Sequence, residues 1–423
     1  MKRIVIASFA AVAIGCGAIT FAAPSNAVIP GSAAIQSSHI SGQIMVNFRD
    51  KGAAASVLRQ HGLSDGPSIG STGAHLIKVP AGKELQLIDA LSRNPAVEYA
   101  EPDELVTAAT TDQYFDRQYA LQNVGQSFTN TANTQTIATG KPDADVDAVE
   151  AWTVTTGGGT RVAIVDSGVA SDNPDIAPKV VARANFSGTA TGEDNYGHGT
   201  HVAGIVAATA DNTIGVAGVC PGCTILDAKV LNDSGSGSSS AIANGINWAV
   251  SNGAKVINMS LGQRVSSRTL EAAVNNAWNA GAVIVAAAGN AGTQAKIYPG
   301  AYPNVIAVAA TDNTDAKASF STYGNWVDVA APGVNVYSTF PNHTFVLGTQ
   351  NNRSMGYDIA SGTSMASPIV AGVAALAWSS HTGATNTSVR ANVESTADPI
   401  LGTGSYWARG RVNACRAVGG SCP

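Results

Sequence analysis

Three segments carry residue types able to do nucleophilic chemistry. Asp166 closes the apolar run Val162-Ala163-Ile164-Val165 and precedes Ser167-Gly168, a position at the carboxyl end of a buried strand, where α/β sheets gather their sites. His198 stands between glycines in Gly197-His198-Gly199-Thr200-His201-Val202-Ala203-Gly204, directly before an apolar stretch, so its side chain can face a cleft from a helix start. Ser364 lies in Ser361-Gly362-Thr363-Ser364-Met365-Ala366-Ser367-Pro368, at the amino end of a small-residue helix read over 369–378. Backbone N–H groups and the helix dipole there favour a developing oxyanion. Ser, His and Asp together supply a nucleophile, a base to take its proton and an acid to orient the base. Each also has a plainer reading: a strand-end turn for Asp166, a metal ligand or cap for His198, a helix cap for Ser364. His201 reads as the structural member of its pair. Ser364 is not set in a G-x-S-x-G elbow, since Ala366 stands where the second glycine would be, which argues against an α/β-hydrolase.

The elements that would position these residues follow from hydrophobic periodicity. From Val149 onward, short apolar runs at 161–165, 225–230, 255–259, 283–287 and 305–308 alternate with helical patterns after His201 and near Ala241 and Leu270. Strands alternating with helices, and apolar on both faces, predict an α/β fold: a mostly parallel sheet flanked by helices on both faces. Ahead of it, residues 28–106 read as a small α+β unit, with strands at 43–48 and 74–79 and helices at 53–60 and 83–92. Residues 122–147, rich in Thr, Asn, Gly and Asp, read as a surface excursion. No internal repeat is evident.

The chain has 423 residues, 45% hydrophobic and only 13% charged, with 45 glycines. That composition suits a globular protein with many tight turns and excludes a coiled coil or a disordered polyelectrolyte. A net charge of −5 with no Lys/Arg run excludes nucleic acid as an expected partner. Met1-Lys2-Arg3, an apolar stretch to Phe21 and the small-residue site Ser25-Asn26-Ala27 predict a signal peptide over 1–27 and a secreted product with no membrane attachment once mature. Ala13-Ile14-Gly15-Cys16 is faintly similar to a lipoprotein processing box, which leaves lipid anchoring through Cys16 as a second reading. Four cysteines then remain, Cys220, Cys223, Cys415 and Cys422, an even number in an exported chain. Proximity pairs Cys220 with Cys223 and Cys415 with Cys422; the Cys-Pro-Gly-Cys spacing also fits a redox motif or half a zinc site, but without a second pair at metal spacing.

Taken together, the three segments in the order Asp, His, Ser resemble the subtilase family of serine peptidases, over about residues 112–418. The thermitase-like branch is indicated by Phe320-Ser321-Thr322-Tyr323-Gly324 and by Tyr406-Trp407-Ala408-Arg409-Gly410-Arg411-Val412-Asn413. The resemblance implies that Ser364 attacks the scissile carbonyl, His198 takes and returns the proton, Asp166 holds the imidazole, and Asn290 in Ala287-Ala288-Gly289-Asn290 completes an oxyanion hole. It implies an extended peptide substrate held by Gly235, Ser236 and Gly237 on one side and by Ser260, Leu261 and Gly262 on the other. The S1 wall would comprise residues 260–262 with Ala287, Ala288 and Gly289, and Ile297 would shorten the pocket and favour medium apolar residues. Ser239, where relatives often carry a bulky aromatic, would leave the S4 pocket open to apolar side chains. At position 369 the chain has Ile where many relatives have His.

The same resemblance implies a structural Ca²⁺ held by Asp112, Asp175, Asn212 and the carbonyls of Thr209, Ile214 and Val216; a second acidic site is replaced by the neutral run 187–191. Residues 28–110, ending in Val97-Glu98-Tyr99-Ala100-Glu101-Pro102-Asp103, are similar to an inhibitor-type propeptide, removed by self-cleavage between about Thr107 and Thr111. The catalytic domain would then span 111–423 and act as a monomer on protein and peptide substrates. A catalytically silent binding protein of the same fold, an esterase and a permanent accessory N-terminal domain are the competing readings.

Overall fold

The computed structural model describes residues 39–104, 110–420 and 422. The signal peptide over 1–27, Cys16 and residues 107–109 of the cleavage zone lie outside the described residues. The chain divides into two compact units at Val106/Thr107.

The first unit is a three-stranded antiparallel sheet with two helices. Its elements are β1 (His39–Phe48), α1 (Ala54–Gln60), β2 (Ala74–Lys78), α2 (Glu84–Ser92) and β3 (Val97–Glu104), with β1 in the centre. Alternation in β1 turns Ile44, Val46 and Phe48 inward against Val57, Leu58, Ile77 and Leu91, which is the period-2 signal of a half-buried strand.

The second unit opens with a short hairpin, β4 (Phe128–Thr129) and β5 (Thr136–Ile137), and the helix α3 (Ala148–Trp152). Seven strands, β6 (Arg161–Asp166), β7 (Val180–Asn185), β8 (Thr224–Lys229), β9 (Val256–Met259), β10 (Val283–Ala287), β11 (Ile306–Thr311) and β12 (Val329–Pro332), form one sheet in the order β12-β11-β10-β9-β6-β8-β7. Every pairing in it is parallel. Between and after them come α4 (His198–Ala207), α5 (Ser239–Ser251), α6 (Arg268–Asn279), the hairpin strands β13 (Val336–Thr339) and β14 (Tyr357–Ala360) around α7 (Val346–Asn351), then α8 (Thr363–Ser380), α9 (Asn386–Ser395) and α10 (Ala414–Ala417).

Successive residues of each central strand enter opposite cores. Val162, Ile164, Val256, Val283 and Val285 pack with α4 and α8; Ala163, Val165, Ile257, Met259, Ile284 and Ala286 pack with α5 and α6. That double burial is why these strands read as continuous apolar runs. β7 escaped the sequence reading because its residues are alternately half-buried and exposed. The 122–147 stretch is exposed at 133–136 and 141–143 but is not a surface excursion throughout: Phe128, Ile137, Ala144 and Val146 are buried, and Asn123, Asn130 and Asp145 turn inward to satisfy backbone and side-chain partners. No helix among the described residues is long and apolar enough to cross a membrane.

Candidate active site

The residues singled out by sequence converge on the carboxyl ends of four adjacent parallel strands, β10, β9, β6 and β8. Asp166 is the last residue of β6. Residues 235–237 follow β8, Ser260, Leu261 and Gly262 follow β9, and residues 288–290 follow β10. Parallel strands bring all these chain reversals to one edge, so residues far apart in sequence meet there.

Asp166 is fully buried, and its Oδ1 accepts from Ser167 N at 2.7 Å and pairs with His198 Nδ1 at 2.8 Å. His198 opens α4 after Gly197, whose φ of 94° suits glycine and whose missing side chain admits Phe345: a Cβ there would lie 2.3 Å from the ring. Gly199 has a parallel role, since a Cβ would stand 2.2 Å from Gly168 O; the helix start thus sits directly on the end of β6. Burial alone would lower the imidazole pKa, but the charge and hydrogen bond of Asp166, with Asp194 beyond, carry it above the ordinary value. His201 is buried, with Nε2 at 3.2 Å from Asp358 O. Burial takes its pKa down to about 3, so it stays neutral.

Ser364 is the second residue of α8, which begins earlier than the apolar run at 369–378 suggests. Its Oγ donates to Ser260 O at 3.2 Å, while Ser260 Oγ donates to Ser364 O at 2.7 Å. The second bond has a sequence cause. Pro368 lies inside α8 and has no N–H to offer Ser364 O, four residues earlier. The carbonyl so freed takes the Ser260 hydroxyl, tying the helix start to the end of β9. Ser260 is held in turn by Asn258 Nδ2 at 3.0 Å, and Asn258 Oδ1 by Ser367 Oγ at 2.7 Å.

Asn290 is oriented by Thr363, whose N and Oγ1 donate to Asn290 Oδ1 at 2.9 and 3.0 Å. The oxygen is thereby committed to protein, and the amide Nδ2 remains as a donor beside Ser364 N across Gly362. His198, Asn290 and Ser364 line one cavity of about 400 Å³. The arrangement offers a hydroxyl at a helix amino terminus, an imidazole held by a buried carboxylate, and an amide donor for negative charge on oxygen.

Two further cavities adjoin it. One, of about 360 Å³, is lined by residues 235–237, 260–262, Leu231, Ile242 and the rings of Tyr196 and Tyr298. Ser239 stands outside this lining, its Oγ donating to Gln263 Oε1 at 3.0 Å. The other, of about 400 Å³, is lined by Leu261, Gly262, Ala287, Gly289, Asn290, Ile297 and Ser364, with Arg264 its one charged residue. Ile297 wedges between two glycines: a Cβ on Gly262 would meet it at 2.4 Å and one on Gly289 at 2.8 Å. Ala288 does not face this cavity; its side chain is buried with Ala309, Ala330 and Trp407, because strand alternation sends it to the opposite face from Ala287 and Gly289.

Sequence reasoning passed over Asp194. It is fully buried and accepts from Ser167 Oγ (2.8 Å), Gly197 N (2.8 Å), Thr200 N (2.9 Å) and Thr200 Oγ1 (2.6 Å). It thus caps α4 and anchors the residue after Asp166. An acid just ahead of a helix start is the signal that could have found it.

The residues proposed for calcium also meet. Asp112 accepts from Asp211 N and Asn212 N, both at 3.0 Å; Asp175 accepts from Asn212 Nδ2 at 2.8 Å and Val216 N at 2.9 Å. Among the described residues no three His, Cys, Asp or Glu side chains converge as a metal site; this set has two carboxylates, one amide and loop carbonyls. Burial, with the Asp112 charge adding, pushes Asp175 up to about 6, and Tyr357 Oη is buried nearby without a hydrogen-bond partner. Two buried carboxylates raised in this way, with an amide and loop carbonyls, are the donor types a hard divalent cation takes, although in this structure all four carboxylate oxygens accept from N–H groups. Cys220 is bonded to Cys223 and Cys415 to Cys422.

Comparison with known proteins gives this geometry its family. Residues 157–415 match the subtilase family model, and residues 26–103 match the fervidolysin N-terminal prodomain. Thermitase from Thermoactinomyces vulgaris is 52% identical over 64% of this chain and 93% of its own. A thermophilic serine proteinase from Bacillus sp. (strain AK1) is 41% identical over 90% of this chain and 88% of its own. Among solved structures, a protease from Pseudoalteromonas arctica PAMC 21717 superposes with a TM-score of 0.64 at 30% identity, covering 74% of this chain and 99% of that one. With a seven-stranded parallel sheet between two helical layers and a prodomain ahead of it, the chain belongs to the subtilase family and is a serine-type endopeptidase.

Proposed function

We propose that this subtilase is exported as a precursor and hydrolyses peptide bonds through an acyl-enzyme on Ser364. The observation that carries the assignment is the 2.8 Å bond from buried Asp166 to His198, with His198, Ser364 and Asn290 lining one cavity. Ser364 Oγ attacks the scissile carbonyl as its proton passes to His198 Nε2; Asp166 keeps Nδ1 protonated and stabilises the imidazolium. Asn290 Nδ2 and the Ser364 backbone N–H bind the oxyanion. His198 then protonates the leaving amine, and water, deprotonated by the same imidazole, releases the acyl product. In the resting state Ser364 Oγ is turned to Ser260 O, and the contact with His198 forms as substrate displaces it, as is common before substrate binds.

The substrate lies extended between residues 235–237 and 260–262, adding a strand through main-chain hydrogen bonds. The cavity closed by Ile297 takes a medium apolar P1 side chain, and the cavity walled by Leu231, Ile242 and Tyr298 takes an apolar P4 side chain. Calcium, held by Asp112, Asp175, Asn212 and the carbonyls of Thr209, Ile214 and Val216, would neutralise the two carboxylates and brace the loop after α4. The N-terminal unit acts as an intramolecular inhibitor until self-cleavage between Thr107 and Thr111, and the mature enzyme works as a monomer. Incubation of the enzyme with a serine-directed phosphonyl fluoride, followed by peptide mapping, tests the core of this reading. Label on Ser364 with loss of peptidase activity, and an inert, uncut Ser364→Ala precursor, are expected; label elsewhere, or a Ser364→Ala chain that matures unaided, would overturn it.

A further inference from the structure

One wall of the cavity lined by His198, Asn290 and Ser364 is supplied by a segment not used in the mechanism above. Phe340, Leu347, Asn351 and Arg353 form that wall. The segment is fixed to the backbone leading into the catalytic helix: Val346 N donates to Asn195 O at 3.0 Å and Leu347 N to Tyr196 O at 3.1 Å. Phe345 is buried, stacks on Phe340 at 4.8 Å between ring centroids, and fills the space left by Gly197. At the end of α7, Asn352 turns left-handed with φ 51°, and Arg353 N returns to Gly348 O at 3.0 Å. Arg353 is thus carried at a set position on the cavity rim, half-buried.

The side of the active site to which this cavity belongs follows from its lining. The acyl side is marked by residues 235–237, 260–262 and Ile297, which line the other two cavities. None of these contributes here; the residues shared with them are Tyr196, His198, Asn290 and Ser364. Space that borders the nucleophile, base and oxyanion donor but not the acyl-side segments is where the departing half of a peptide must lie. Arg353 is its one permanently charged lining residue, no Asp or Glu lines any of the three cavities, and among the described residues the Arg353 guanidinium forms no ion pair with a carboxylate within 4 Å. A half-buried cation on a partly apolar wall that no carboxylate pairs with complements a carboxylate supplied by the substrate.

We propose that Arg353 is a specificity-determining residue that selects substrates with Glu or Asp at the first or second position after the scissile bond. The proposal rests on the peptidase reading above, and its test separates the two. Internally quenched peptides sharing one acyl-side sequence are varied as Glu, Ala and Lys at each of those positions, alongside a p-nitroanilide of the same acyl half, which has no residue on the leaving side. For the enzyme from the full expressed chain, kcat/KM for Glu exceeds that for Lys by about tenfold at one of the two positions, combining an attraction and a repulsion that each contribute severalfold near a surface. Arg353→Ala brings the ratio near one and Arg353→Glu inverts it; because the ratio is taken within each enzyme, a general change in turnover does not alter it. Anilide hydrolysis without Glu/Lys discrimination, or discrimination that survives Arg353→Glu, overturns the pocket assignment and leaves the peptidase reading intact. Absence of anilide hydrolysis together with absence of phosphonyl label on Ser364 removes the peptidase reading, and this one falls with it.

Discussion

Replacing Thr363 by Val tests whether the oxyanion donor is a positioned group or merely a nearby one. Thr363 is fully buried, and its hydroxyl has two jobs: it donates to Asn290 Oδ1 at 3.0 Å and accepts from Gly289 N at 3.0 Å. Val keeps the shape and removes both bonds, while the Thr363 N–H still reaches Asn290 Oδ1 at 2.9 Å. A typical intramolecular hydrogen bond contributes about 1 kcal/mol, and a buried N–H left unpaired costs about 1–3 kcal/mol, so global stability should fall by about 2–4 kcal/mol. The catalytic effect has a different ceiling. Removing a side-chain oxyanion donor from subtilisin costs about 3–4 kcal/mol in the transition state, or 10²–10³ in kcat. With one of its two restraints lost, Asn290 should forfeit part of that, and kcat is expected to fall about 10–30-fold with KM nearly constant, the signature of an interaction made only in the transition state.

Steady-state kinetics on an anilide substrate, with thermal melts of the phosphonylated enzymes, reads both quantities. The decisive comparison is a double-mutant cycle: in an Asn290→Ala background, Thr363→Val should lower stability again but leave kcat unchanged, because the donor it orients is gone. A Thr363→Val enzyme with lowered melting temperature and wild-type kcat would refute the orienting role, and additive losses in kcat would assign Thr363 an effect independent of Asn290.

Three other outcomes follow from the geometry. Ile297→Gly opens the space between Gly262 and Gly289 and should raise kcat/KM for Phe over Leu at P1 by about 10–100-fold, the range for misfitted apolar groups in a pocket; an unchanged ratio on paired anilides would remove Ile297 from the S1 wall. In chelator, native Asp175 with a pKa of about 6 binds more protons than the unfolded chain between about pH 4 and 6. Stability should therefore drop by about 3 kcal/mol as pH rises through that window, and millimolar Ca²⁺ should abolish the drop by favouring the ionised carboxylates; parallel melting curves with and without Ca²⁺ would refute the site. Because Asp166 holds the His198 pKa above the ordinary value against burial, the acidic limb of kcat/KM should lie above about pH 6.5 and move down in Asp166→Asn, whose residual activity would show no such move if the charge were immaterial.

How far the molecule could be read from its sequence differs by layer. The parallel sheet was legible because its central strands are buried on both faces, which writes them as unbroken apolar runs between helical patterns; β7 was missed because only one of its faces meets protein. Asp166, His198 and Ser364 stood out because each lies where an apolar run meets small residues, and a strand end or helix start must expose what it carries. The sequence also disclosed local facts that need no partner, such as the helix-internal Pro368. It was silent on what that proline does, since the carbonyl it frees is claimed by Ser260, 104 residues earlier. Asp194, Thr363 and Arg353 likewise look like ordinary polar residues until folding decides what they face. Asp194 meets four donors, Thr363 clamps an amide from another strand end, and Arg353 lines the cavity that the nucleophile also lines. Residue type and local period thus determined the layers, the class of chemistry and its bearers, because both are properties of neighbours along the chain. Orientation, pocket depth and charge complementarity were decided only by tertiary structure, because they depend on distances between segments that the sequence separates by tens to hundreds of residues.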